Sequence, residues 1–237
     1  MTLLTSIPFT LNTARLMKKA HLPEGVLDPQ VITGLVQLAQ THGKPKALYK
    51  PVFVQKRQAD AITFEGITFH SRALAENFKG IERGFVFVAT CGTELDQVHV
   101  ANGDPLEDFL WDHIKAAALE SALNELQTHL KKKTKWRHVS SMSPGSGDAG
   151  IWPLEQQNKL FQLLGDVRAH IGVTLTDSCL MIPNKSVSGI LFPTTIDFQS
   201  CRLCHRADCP SRRADYDPQL WHSLHDDRVT AHSSDNR

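Results

Sequence analysis

From Pro105 to about Lys133 the chain carries no internal glycine or proline, and Leu106, Phe109, Leu110, Ile114, Ala117, Ala118, Leu123, Leu126 and Leu130 recur at helical intervals. Apolar residues three and four apart line one stripe of a helix, so the stretch predicts a long core helix against which the rest must pack. The basic run Lys131-Lys-Lys-Thr-Lys-Trp-Arg137 follows at its end. Cations complement the dipole at a helix C-terminus, so the run reads as a last helical turn rather than a contact patch.

The remaining pattern is one of shorter elements. Leu11 to Ala20 and Val26 to Thr41 predict two helices, broken at Pro23 and Gly25, the second with Val31, Leu35, Leu38 and Ala39 at helical spacing. Beyond Pro45 the β-prone residues Tyr49, Val52, Phe53 and Val54 lead to Ala61–Phe69, where Glu65-Gly66 marks a tight hairpin turn. Ser71 suits the N-cap of a short helix ending near Gly80, and the apolar run Gly84–Thr90 suits a strand covered on both faces. After the long helix come a strand around Trp136 to Met142, a glycine loop, a helix opening at Pro153 and running to about Leu164, and strands near Val173 to Leu175 and Val187 to Phe192. Strands and helices alternate without a regular βαβ period, so the fold class is α+β, a single domain with a mixed, mainly antiparallel twisted sheet packed by helices. The expected division is a main domain over 1–198, a small C-terminal cysteine knuckle over 199–225 and a disordered tail over 226–237.

Charge and cysteine usage narrow the setting. With 26 Lys+Arg against 25 Asp+Glu the net charge is +1, which draws the chain to neither nucleic acid nor an anionic membrane. The N-terminus has no positive n-region or cleavable apolar core, and no window approaches the ~20 apolar residues of a membrane span. Five cysteines, an odd count with three packed into nine residues, suit ligation in a reducing, cytoplasmic compartment better than a disulfide framework.

Three stretches of the last third carry candidate chemistry. In Ser143-Pro-Gly-Ser-Gly-Asp-Ala-Gly150, Gly145, Gly147 and Gly150 permit positive φ or close ligand approach, and Asp148 offers a carboxylate to a ribose hydroxyl or an amine. The loop leads into the helix at Pro153, whose unpaired N–H groups favour an anionic ligand group. By itself the pattern fits a chain turn as well as a ligand loop. Lys185 and Ser186, in Pro183-Asn-Lys-Ser-Val-Ser-Gly189, supply a cation and a hydroxyl, or a solvated turn.

Cys201-x2-Cys204 followed by Cys209 places sulfurs at metal-ligand spacing, with zinc, an iron–sulfur cluster and unmetallated thiols as the readings. His205, Cys179, Cys91 or an external group would fill the fourth position. Arg202, Arg206, Arg212 and Arg213 would offset the thiolate charge. Cys91 sits where the strand at Gly84–Thr90 meets a predicted helix capped by Thr93, and reads as a small buried residue. His99, His113, His138 and His170 show no metal spacing, and no G-x-S-x-G, P-loop or post-strand G-x-G-x-x-G occurs.

Taken together, Ala14–Ala20, Val88-Ala-Thr-Cys-Gly-Thr-Glu-Leu-Asp96, Ser143-Pro-Gly-Ser-Gly-Asp148, Trp152-Pro-Leu-Glu-Gln-Gln157, Gly172–Ser178 and Pro183-x-Lys-Ser-Val-Ser-Gly189 resemble the S-adenosylmethionine-binding reactivation domain of cobalamin-dependent methionine synthase, in the form of its separate-chain relatives. The resemblance implies that Ser143, Pro144, Gly145, Ser146, Gly147 and Asp148 wrap S-adenosylmethionine. It implies reductive reactivation: a Co(II) cobalamin on a partner methionine synthase or other corrinoid protein takes one electron from a donor protein, and the methyl group of S-adenosylmethionine traps the resulting Co(I). The chain would then be an accessory component of a methyltransferase. In the full-length enzymes the loop holds an arginine for the methionine carboxylate and a tyrosine after the glycine. Here the comparable places are Met142 or Ser143, and Ser146, leaving Arg137, Lys185 or helix N–H groups to hold the carboxylate. The segment with Cys201, Cys204 and Cys209 is similar to that of separate-chain relatives and is missing from the fused domain. The alternative is a non-catalytic module whose cysteine knuckle holds zinc and docks a partner.

Overall fold

The computed structural model of the protein describes residues 1–23, 25–98, 100, 104–147, 150–194, 198–209 and 212–225. In chain order its elements are β1 (Thr2–Leu4), α1 (Thr13–Ala20), α2 (Pro29–His42), β2 (Lys46–Arg57), β3 (Ala61–Phe64), β4 (Ile67–His70), α3 (Arg72–Asn77), β5 (Arg83–Thr90), α4 (Pro105–Thr134), β6 (Val139–Met142), α5 (Gln157–Leu164), α6 (Val167–Ile171), β7 (Thr174–Leu175), β8 (Met181–Ile182), β9 (Ser186–Pro193) and α7 (Pro218–His225). The chain divides into two compact units, one of Met1–Lys50, Val86–Trp136 and Leu160–Ser188, the other of Pro51–Phe85, Arg137–Lys159 and Gly189–Arg237.

In the first unit α4 is the long helix that the apolar spacing predicts. Asp104 caps it by accepting from the Leu106 N–H at 2.8 Å, Glu107 and Asp108 stand in its first turn, and Lys131, Lys132 and Lys133 stand in its last. Its fully buried residues, Leu110, Ile114, Ala118, Ala122, Leu126 and Leu130, fall every fourth position. Four residues are about 40° more than a full turn, so this buried line winds roughly halfway around the helix along its length. The early part packs with Leu16 of α1 and Leu35, Val36 and Ala39 of α2 in one apolar cluster. Near the other end Tyr49, buried on β2, meets His129 Nε2 through its hydroxyl at 2.8 Å and accepts from Lys133 Nζ at 3.1 Å. Leu106 and Phe109, expected on the core face, are exposed because they precede the point where the buried line begins. Strand β1, which no sequence signal marked, pairs antiparallel with β2, Thr2 opposite Tyr49 and Leu4 opposite Ala47.

The second unit holds β3, β4, β6 and parts of β2, β5 and β9, of a sheet whose strand order is β4-β3-β2-β5-β9-β6. The β3–β4 hairpin turns at Glu65 and Gly66, both at positive φ (47° and 82°), the geometry a two-residue turn needs to match strand twist. Strands β2 and β3 pair antiparallel across an irregularity between Val54 and Lys56, and β6 lies antiparallel to β9, Val139 opposite Pro193 and Met142 opposite Ile190. The core of this unit is a line of tilted and edge-on rings: Trp152, Phe69, Phe64, Phe78, Phe192 and Phe198, with successive centroids 5.1–6.4 Å apart. Sheet pairing and helices together give the expected α+β class with a mainly antiparallel sheet.

Several local expectations differ from the structure. After Cys91 no helix forms: residues 93–98 make turns, with Asp96 N–H donating to Thr93 O at 3.2 Å. Tertiary ties override the capping pattern there, since Glu94 pairs with Lys46 at 2.6 Å, Asp96 pairs with Lys115 at 3.0 Å and Leu95 is fully buried. The helix expected at Pro153 begins as a 3-10 turn over Leu154–Gln156 before α5. The strand expected near Val173 to Leu175 is found as β7, whereas its partner β8 and the helices α6 and α7 were not foreseen, and the expected tail over 226–237 lies outside the described residues. No helix among the described residues is long and apolar enough to cross a membrane.

Candidate functional site

The glycine loop follows β6 in the second unit. Pro144 is buried and Ser143 half-buried, while Gly145, Ser146 and Gly147 are exposed; Asp148 lies outside the described residues. Ser146 N–H donates to Ser143 O at 3.1 Å, and Gly145 N–H donates to Trp152 O at 2.8 Å, which closes the loop at its neck. Gly145 and Gly147 have φ of 71° and 91°. A Cβ on Gly145 would stand 2.9 Å from Leu154 Cδ1, and one on Gly147 would stand 3.3 Å from the Ser200 carbonyl oxygen. Both positions therefore demand glycine on conformational grounds, and Gly147 lies against the start of the cysteine segment.

The far side of the loop is bolted to β4 and α3 by Ser71, expected only as a helix cap, and by Gln156 and Lys159. Ser71, the N-cap of α3, accepts from Leu74 N–H and donates its own hydroxyl to Ile151 O at 2.7 Å. Gln156 acts as a substitute strand: its Nε2 donates to His70 O at 2.6 Å and its Oε1 accepts from His70 N–H at 2.7 Å. Lys159 Nζ donates to Thr68 O at 2.6 Å, and Trp152 is fully buried in the aromatic line. Only the quoted Trp152–Gln157 stretch pointed to this region, and nothing local in it shows that Gln156 faces a strand edge. The loop thus has a fixed base and an exposed, glycine-shaped tip.

Lys185 and Ser186 belong to the first unit. Lys185 Nζ is 2.7 Å from Asp112 Oδ2, its carbonyl accepts from Cys91 N–H at 2.9 Å, and Ser186 donates its buried hydroxyl to Thr90 Oγ1 at 2.9 Å. These contacts join the start of β9 to the end of β5 and to α4. Cys91 beside them is buried, and burial, with Asp96 adding to it, pushes its thiol up to about 12. Such a thiol is neither nucleophile nor ligand at neutral pH, in keeping with its reading as a packing residue. Burial also lowers the pKa of His113, whose ring packs edge-on against Phe109 at 4.6 Å.

The cysteine segment is ordered around an arginine. A 3-10 turn over Ser200–Leu203 carries Cys201 into Cys204, whose N–H donates to Cys201 O at 3.1 Å. The Arg212 guanidinium donates to the carbonyls of Cys204, Arg206 and Ala214 at 2.6–2.9 Å and to that of Cys201 at 3.4 Å, and Arg213 N–H donates to Cys201 Sγ at 3.4 Å. Cys201, Cys204 and Cys209 are half-buried and outside any disulfide. Among the described residues no group of three or more His, Cys, Asp or Glu is placed to hold a metal ion, so the donor set expected at these cysteines is not assembled. The His205 ring lies against Tyr216 at 4.4 Å and Trp221 at 5.0 Å. Arg202 pairs with Asp217 at 2.6 Å beside a cavity of about 470 Å³ lined by Arg202, Asp215, Tyr216, Asp217 and Gln219 among others.

Comparison with known proteins bears on this geometry. No curated protein matches the chain. The fold is similar to the crystal structure of the MetH reactivation domain bound to AdoHcy, with a TM-score of 0.55 and 18% identity over 79% of this chain and 67% of that one. Residues 85–199, which include the glycine loop, match the profile of the family described as vitamin B12 dependent methionine synthase, activation domain, and the resemblance read from the sequence is thereby borne out.

Proposed function

We propose that the protein binds S-adenosylmethionine on the loop at Ser143, Pro144, Gly145, Ser146, Gly147 and Asp148 and supports reductive methylation of a cobalamin carried by a partner, a methionine synthase or another corrinoid protein. The observation that carries this reading is the anchored loop with an exposed tip at positive φ, inside the stretch that matches the activation-domain profile. The similar reactivation domain bound to AdoHcy supports the same ligand class. When bound, S-adenosylmethionine supplies an electrophilic methyl group on a sulfonium, which needs no general acid to leave.

What remains for the chain is binding, orientation and exclusion of water. Gly145 and Gly147 hold the tip at positive φ, where a Cβ would run into Leu154 and the Ser200 carbonyl. The hydrogen bonds of Ser71 and Gln156 hold the loop's base, so that ordering costs little on binding. Lys185 and Ser186 would contribute indirectly, because both side chains are engaged within their own unit. An electron-donor protein and a reducing, cytoplasmic setting belong to the same proposal.

Titration calorimetry tests it. The wild-type chain gives saturable heat with S-adenosylmethionine, and Gly147→Val, which cannot hold a φ of 91° without strain, weakens it at least tenfold. Absence of heat at millimolar ligand refutes the assignment.

A further inference from the structure

The cysteines of the last segment are not gathered into a metal donor set, yet the backbone that carries two of them is closely specified. Two successive i to i+3 hydrogen bonds, Arg202 N–H to Gln199 O at 3.0 Å and Cys204 N–H to Cys201 O at 3.1 Å, wind the chain through the 3-10 turn at Ser200–Leu203. A turn closed by such a bond keeps its end Cα atoms within about 7 Å, and residues three apart in a 3-10 turn stand on the same side. A disulfide spans about 4.4–6.8 Å between Cα atoms. The turn therefore holds Cys201 and Cys204 within reach of one another, and both are half-buried and outside any disulfide.

We infer that Cys201 and Cys204 form a redox-active dithiol that exchanges with low-molecular-weight disulfides, Cys201 as the attacking sulfur and Cys204 as the resolving one. The site does not depend on ligand binding at the glycine loop. Arg213 N–H donates to Cys201 Sγ at 3.4 Å, and the Arg212 guanidinium spans the carbonyls of Cys201 and Cys204 at 3.4 and 2.9 Å. Negative charge passes from sulfur to sulfur during exchange, and a donor on the first sulfur with a fixed cation on the same turn offsets it. Cys209 lies outside this turn, its N–H donating to Ala207 O and its carbonyl accepting from Arg212 N–H, both at 3.0 Å.

The exchange balances in two steps. The Cys201 thiolate attacks one sulfur of the small disulfide and releases one thiolate. Cys204, having lost its proton, attacks the Cys201 sulfur of the mixed disulfide and releases the second. Two electrons pass from the protein dithiol to the small disulfide, and the two thiol protons end on its two halves. In a reducing compartment such a bond is transient, and small thiols reverse it.

The experiment uses the full chain, reduced and freed of reductant. It is mixed anaerobically at about pH 8 with millimolar glutathione disulfide, with and without a chelator, then quenched in acid and mapped by mass spectrometry. Trypsin separates Cys201, Cys204 and Cys209 by cutting after Arg202 and Arg206. The expected wild-type product is lighter by the two thiol hydrogens, with the peptides ending at Arg202 and Arg206 joined, and dithiothreitol reverses it. Cys204→Ser should stop with glutathione on Cys201, at roughly ten times the wild-type level, because attack within one turn outruns attack from solution. Cys209→Ser should oxidise as the wild type does. A link to Cys209, thiols that stay free, or thiols that react only once the chelator has stripped a metal overturn the inference. So does equally fast uptake of glutathione by Cys201→Ser and Cys204→Ser, since Cys201 would then hold no advantage as the attacking sulfur. These outcomes leave S-adenosylmethionine binding untouched, so the proposed function stands or falls separately.

Discussion

Gln156 gives the sharpest quantitative test of how the glycine loop is held. Its side chain is buried, and its amide completes both hydrogen bonds of the His70 peptide at 2.6 and 2.7 Å, in place of a neighbouring strand at the β4 edge. Gln156→Met keeps length and packing but leaves His70 N–H and C=O without those partners. At about 1–1.5 kcal/mol for each hydrogen bond, the cost is about 2–3 kcal/mol. For a chain of this size that lowers Tm by about 4–12 °C. Urea unfolding followed by circular dichroism measures the loss directly.

Gln156→Glu separates this account from simple packing. Glutamate retains an acceptor for His70 N–H but turns a carboxylate oxygen towards His70 O, a repulsion that burial magnifies and that raises the pKa of the introduced carboxyl. Its protonated form restores a donor, so the deficit of Gln156→Glu shrinks as pH falls through that raised pKa, whereas the deficit of Gln156→Met does not. A cost below 0.5 kcal/mol for Gln156→Met, or identical pH profiles for the two variants, refutes the reasoning: water would then be serving His70.

Other outcomes follow from the same contacts. Cys91 has a folded pKa of about 12 against an ordinary 9.0, so its contribution is complete below pH 9 and is lost as pH rises from about 9 to 12, by about 1.4 kcal/mol per unit; Cys91→Ala should flatten that alkaline slope in pH-dependent melts. In the native protein at pH 8, a soluble alkylating reagent should modify Cys201, Cys204 and Cys209 well before Cys91, read by peptide mass spectrometry. Because Arg212 binds four carbonyls of the cysteine segment, prolonged chelation should leave Tm within about 1 °C, while Arg212→Gln should open the segment to limited proteolysis; a large fall in Tm on chelation would show a metal doing that work. Leu126→Ala in the fully buried line of α4 should cost about 2–5 kcal/mol.

What could be read in the sequence was whatever local chemistry decides. The span of α4 and its basic last turn, the Glu65-Gly66 hairpin and the Ser71 cap each depend on neighbours within a few residues, and each is found. The turn after Thr93 has equally good capping chemistry and fails, because Lys46 and Lys115, distant in sequence, claim Glu94 and Asp96. Strand β1 is three residues long and exists through its pairing with β2, which leaves no periodic signal. The same contrast runs through the candidate site. Gly145 and Gly147 announce positive φ by their identity, whereas Lys185 looked like a free cation until the fold paired it with Asp112. Arg212 could be counted as a charge, but its role in gathering carbonyls is set by the path of the backbone around it.

The four-residue rhythm of α4 also determines which insertions and deletions the gene can tolerate. One residue gained or lost near Ser121 turns everything beyond it by about 100°, swinging Ala122, Leu126 and Leu130 off their packing surface at once. A same-sized change at the solvent-facing tip near Ser146 displaces no core side chain. Length variation among homologous chains should therefore gather at the loop tip and be purged from the middle of the rod, even though ligand contact would make the opposite guess natural.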